Sequence, residues 1–123
     1  MRHIESNIQK ACIKWFSLQF PDLRPVMFAV GNGGYRNKIE AAIMKGEGVT
    51  AGVADVLFLY PNKQYHGLCI EFKTPTGKQT DSQKAFARNV EKHGYKYIIA
   101  RSLQEFIAEL KSYIFTDERL KKP

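Results

Sequence analysis

At 123 residues the chain has room for one folded domain, and its 44% hydrophobic content is enough for a core. Nineteen Lys and Arg against twelve Asp and Glu give a formal charge of +7, a balance that suits a polyanionic partner, of which nucleic acid is the commonest. No apolar run approaches the roughly 18 residues of a membrane span, and the first residues lack the apolar stretch of a signal peptide, so a soluble, intracellular protein with no membrane partner is expected. Cys12 and Cys69 form no metal or redox pattern and sit among apolar neighbours, which points to buried free thiols in a reducing cytoplasm.

Residues 4–19 carry Ile4, Ile8, Ala11, Cys12, Trp15 and Leu18 at helical spacing. Pro21 and Pro25 bracket a turn, and the apolar run 26–30 predicts a buried strand. Three glycines in residues 31–34 make a loop, and a helix is predicted over 37–46. A second glycine-rich stretch leads into a strand over 53–60, then a Pro-Asn turn and a strand over 67–73, the two strands paired as a hairpin. A Pro/Gly loop at 74–77 precedes a helix over 81–93, a strand over 95–100 and a helix over 102–114, with Ser102 as N-cap and Glu105 at the capping-box position. The order is α-β-α-β-β-α-β-α, an α/β domain over residues 1–115 with helices on a mixed sheet, followed by a charged tail at 116–123.

Asp55 interrupts an otherwise apolar strand, and Glu71 and Lys73 interrupt its neighbour. Charges are rarely set into buried strands without partners, because unpaired burial is costly. Residues two apart on a strand share a face, so Glu71 and Lys73 project together while Phe72 packs opposite, and pairing of the strands brings Asp55 across from them. Two carboxylates form a hard oxygen site for Mg²⁺ or Mn²⁺, which can acidify a bound water and offset charge on a phosphodiester. An adjacent lysine can orient that water or neutralise the developing charge. A buried ion pair that performs no chemistry would show the same pattern, and the pattern alone leaves both readings open.

Gly52-Val53-Ala54-Asp55, fifteen intervening residues and Glu71-Phe72-Lys73 together resemble the signature of the PD-(D/E)xK nuclease superfamily. More closely, the chain resembles the virus-type replication-repair nuclease (VRR-NUC) family. The likeness takes in Glu5, Asn32-Gly33-Gly34 with Arg36, the run from Gly48 to Asp55, Ile70 to Thr74 with Gly77, Gln83 and Gly94, and spans about residues 4–110. It implies a restriction-endonuclease-like core in which Asp55 and Glu71 hold Mg²⁺, which Mn²⁺ could replace. The Phe72 carbonyl would be a third ligand, Lys73 the catalytic lysine, and Glu5 and Gln83 would complete the site. Ala54 stands where the family usually has proline, a position that shapes the backbone and does no chemistry.

Three outer groups have rival readings. Glu5 is either a solvated first-turn glutamate complementing the helix dipole or a residue reaching round to the site, and the resemblance favours the latter. Gln83 fits a capping box with Thr80, yet it shares a face with Phe86, Ala87 and Val90, where a polar group needs a partner such as Lys73; the site role is the one expected. Asn32, Gly33 and Arg36 form either a plain tight loop or a phosphate cradle, and Lys38, Lys45 and Lys78 either solvated charges or phosphate contacts. His3, His66 and His93 show no ligand spacing and read as surface residues.

The function expected is metal-dependent hydrolysis of DNA. Little chain remains for base readout, which favours branched DNA read by shape, such as a Holliday junction. Family likeness adds a homodimer and a phage or prophage setting in a bacterial or phage-infected host cytoplasm. The rival is a nucleic-acid-binding module that keeps the fold without catalysis, against which the intact Asp55, Glu71 and Lys73 argue.

Overall fold

The first helix, α1 (Ile4–Gln19), buries Cys12 and Phe16 completely while Ile4 and Leu18 remain exposed. Its inward face is thus centred on Cys12 and Phe16, rotated from the Ile4–Ile8–Trp15 line expected from hydropathy, because the aromatic Phe16 packs into the core against Phe20 and edge to face on Phe58. A computed structural model describes residues 3–31 and 37–116. Asn32, Gly33, Gly34, Arg36 and residues 117–123 of the tail lie outside them.

A 3-10 turn at Arg24–Val26 leads into β1 (Met27–Ala29), shorter than the predicted 26–30. Helix α2 (Lys38–Gly46) starts at Asn37, whose side chain accepts from the Glu40 amide, and it buries none of its residues. β2 (Val56–Phe58) and β3 (Leu68–Phe72) pair antiparallel as expected. Helix α3 (Asp81–Lys92) then crosses over to β4 (Lys96–Ala100), which runs parallel to β3. Gly94 turns the chain between them at φ +95, where a Cβ would strike the His66 ring. Ser102 caps α4 (Leu103–Ile114) by accepting from the Glu105 amide; the Glu105 carboxylate reaches the Arg101 amide, one residue short of a full box.

The sheet has the order β1-β2-β3-β4, antiparallel except for its last pair. Helices α1 and α4 cover one face through Phe16, Phe106 and Leu110 against Val56, Phe58, Ile70 and Phe72, and α3 crosses the other, where Phe86 meets Tyr97 edge to face. The chain is therefore an α/β fold with helices flanking a mixed four-stranded sheet.

Candidate active site

β2 starts later than its sequence predicts, at Val56, and that late start creates the site. The register pairs Val56 with Ile70, so continuation would place Asp55 opposite Glu71 in the ladder. Instead the Asp55 carboxylate takes the place of a backbone acceptor: its Oδ2 receives the Phe72 N–H at 2.8 Å. Its own carbonyl accepts from Val30 on the β1 side at 2.8 Å. Residues 53–55, predicted as strand, turn away so that the carboxylate can reach the neighbouring backbone. Buried Ala54 and the half-buried Asp55 mark the splay.

Glu71 is 1% exposed in the middle of the sheet, among the costliest positions for a charge. Its oxygens have different surroundings. Oε1 accepts from the Tyr97 hydroxyl on β4 and from the Gln79 amide nitrogen at 3.2 Å. Oε2 makes no hydrogen bond among the described residues and faces the Lys73 ammonium at 3.3 Å, an ionic contact only. Lys73 is itself buried, two residues along the same strand face. Asp55, Glu71 and Lys73 are thus brought together as the sequence suggests.

Burial raises the Asp55 carboxyl above its usual range. The Phe72 N–H opposes the rise, the negative charges of Glu71 and Glu5 add to it, and Lys73 opposes it again. Burial also pushes the Tyr97 phenol far above its ordinary value, helped by its bond to Glu71. Glu5 is exposed on the first turn of α1, yet close enough for its charge to be felt at Asp55. It lies seven and eleven residues before Cys12 and Phe16, on the same line of the helix.

Gln83 takes the other of its two expected roles. Its side-chain oxygen accepts from the Thr80 amide at 2.9 Å while Thr80 Oγ1 accepts from the Gln83 amide, a complete capping box. Four residues earlier, Gln79 supplies the amide at the site that Gln83 was expected to give. Sequence reading missed Gln79 and Tyr97. Gln79 lies in a loop without periodicity, and Tyr97 reads as an ordinary strand aromatic. Arg101 was also missed: its Nη1 donates to the carbonyls of Thr74 and Gly77 at 2.7 Å each, tying down the loop that carries Gln79. Lys38, Lys45 and Lys78 are exposed, and the two on α2 sit on a helix with no buried residue.

The donor set is oxygen throughout, which suits a hard divalent cation. The burial and, after it, the neighbouring negative charges that lift Asp55, and the Glu71 oxygen left without a hydrogen bond, are what such an ion would relieve. No group of three or more His, Cys, Asp or Glu among the described residues could hold an ion. The chain would therefore contribute two carboxylates, leaving further positions to backbone, water and phosphate, as Mg²⁺ commonly requires.

The VRR-NUC domain model matches residues 4–104, which includes every one of these site residues. The chain belongs to the VRR-NUC family. A solved structure described as "VRR_NUC domain protein" is similar to it with a TM-score of 0.79 and 27% identity, over 90% of this chain and 88% of that one. No curated protein matches. Membership makes this VRR-NUC domain a protein of nuclease type with DNA as its substrate. No helix among the described residues is long and apolar enough to cross a membrane.

Proposed function

We propose that this VRR-NUC domain is a Mg²⁺-dependent DNA endonuclease, selective for branched structures such as Holliday junctions and active as a homodimer in replication, repair or recombination. The observation that carries the reading is the buried Glu71, with one oxygen saturated by neutral donors and the other turned to Lys73 beside the splayed Asp55.

Asp55 and Glu71 would hold the cation, with the Phe72 carbonyl available to it and Glu5 adding its negative charge from nearby; when bound, Mg²⁺ or Mn²⁺ would supply an acidified water and a counter-charge for the phosphate. The Phe72 N–H fixes the Asp55 carboxylate so that it need not reorganise when substrate arrives. Lys73 places an ammonium within the same pocket, where it orients the attacking water by hydrogen bonding and offsets the charge that builds on the phosphate oxygens. Burial keeps the Lys73–Glu71 contact in low dielectric, where each charge acts more strongly than in water.

Branched DNA is the favoured substrate because junction shape can be read through phosphate positions. A two-fold junction suits a two-fold dimer, and the exposed Phe28, Ile39, Ile43 and Leu59 offer apolar surface for a second copy. Two free buried cysteines agree with a reducing cytoplasm.

The test is cleavage of labelled four-way junction, flap and linear duplex in Mg²⁺, Mn²⁺ or EDTA by the wild type, Asp55→Ala and Lys73→Ala. Metal-dependent cutting of a branched substrate, lost in both variants, is expected. Binding without cutting, indifferent to metal and to both substitutions, would instead establish a non-catalytic nucleic-acid-binding module.

A further inference from the structure

A nuclease site built from Asp55, Glu71 and Glu5 repels the polyanion it must hold, so positive charge close by has to supply the attraction. The structure offers one well-placed source. Gln9, Lys10 and Lys14 of α1, with Arg24 and Ala29, line an open trough of about 460 Å³ between that helix and the edge strand β1. Its lining contains no Asp or Glu. Lys10 and Lys14 are exposed and make no ion pair among the described residues. Arg24 is fixed by neutral partners, its Nε on Ser17 Oγ at 3.1 Å and its Nη1 on the Met27 carbonyl at 2.7 Å, so its charge is not cancelled.

One end of the trough adjoins the site. Ala29 precedes Val30, whose N–H bonds to the Asp55 carbonyl. Glu5, outside the lining, lies on α1 roughly 7.5 Å before Lys10 along the helix axis, and its charge reaches Asp55. Lys10 and Lys14 are separated by about 6 Å of helix rise, a little under two nucleotides of one B-form strand. They can therefore meet different phosphates of the same strand rather than compete for one.

We infer that this trough is the track for the DNA strand flanking the phosphodiester at the site, gripped through its backbone phosphates by Lys10, Lys14 and Arg24. The inference rests on the nuclease reading and adds to it the path of the substrate. Gln9 and the lysines contact phosphate, not base edges, so the grip is independent of sequence.

The test measures binding of labelled duplexes by fluorescence anisotropy in EDTA, so that no strand is cut, across a range of NaCl. The wild type is compared with Lys10→Gln/Lys14→Gln and with the charge-matched Lys92→Gln/Lys111→Gln on α3 and α4. Loss of two phosphate contacts lowers the slope of log affinity against log salt by about 1.8 in magnitude, and that drop is expected in the trough double alone, equally for duplexes of different sequence. A slope unchanged in the trough double, or lowered equally in both doubles, overturns the inference and leaves the nuclease reading standing. A wild type that binds no DNA at any salt overturns both.

Discussion

Tyr97 donates its hydroxyl hydrogen to the same oxygen of Glu71 that receives the Gln79 amide, leaving the other oxygen to Lys73. Donors of this kind orient a carboxylate, and partners of metal ligands typically contribute ten- to a hundredfold in metal affinity or activity. Tyr97→Phe and Gln79→Leu together are expected to weaken Mn²⁺ binding, measured by calorimetry, by at least about tenfold. Each variant alone should lose less. An unchanged affinity in a folded double variant would show that Glu71 needs neither partner.

Asp55→Asn should make the protein more stable while abolishing cleavage. Burial and the charges of Glu71 and Glu5 raise the Asp55 carboxyl. For an acid raised in the folded state, the associated stability is present below the ordinary carboxylate range and is lost as pH rises through the folded value. The ionised group is thus a cost at neutral pH, and asparagine removes it while its side-chain oxygen can still accept the Phe72 N–H. In EDTA at pH 7 a gain of roughly 0.5–2 kcal/mol is expected, shrinking as pH falls through the raised folded value and gone below the ordinary carboxyl value of 3.8. A melting temperature lowered at pH 7 would contradict it.

Much of this was legible in the sequence, and what was not has a common cause. Helix α1 begins and ends where its periodicity places it, and the Asp55, Glu71 and Lys73 grouping follows from strand alternation. β2 was read as eight residues and has three, because hydropathy cannot register that the Asp55 side chain replaces a backbone acceptor. Gln83 carries two readings, of which the site role is the one expected, and the capping partner three residues away prevails over the more distant lysine. Gln79, Tyr97 and Arg101 act across 8, 26 and 27 residues of chain, and no local pattern signals such contacts.

Alkaline pH should destabilise the protein through its cysteines. Burial raises the Cys12 thiol to about 12 and the Cys69 thiol to about 11, from an ordinary value of 9.0. The stability held in the neutral thiols is complete below pH 9 and is lost as pH rises toward the folded values. By pH 10 the loss is about 1.4 kcal/mol for each thiol. A melting temperature that falls between pH 8 and 10, with a smaller fall in Cys12→Ala/Cys69→Ala, is the expected result. At pH 8 a thiol reagent should label neither residue until the protein unfolds.

Arg101 sets the position of Gln79 from a distance. Its guanidinium joins the carbonyls of Thr74 and Gly77, which lie between Lys73 and Gln79. Bonds from a charged donor contribute roughly 1.5–3 kcal/mol when buried, and less at this partly exposed position. Arg101→Met keeps the apolar stem but releases both carbonyls, so a stability loss of about 1–2 kcal/mol is expected. Faster amide hydrogen exchange at Gly77, whose N–H now bonds to Thr74, should accompany it. Lysine can satisfy one carbonyl but lacks the planar fork, so Arg101→Lys should restore only part of the protection. If exchange at Gly77 is the same in all three proteins, the loop is held by its own turn and the guanidinium is incidental.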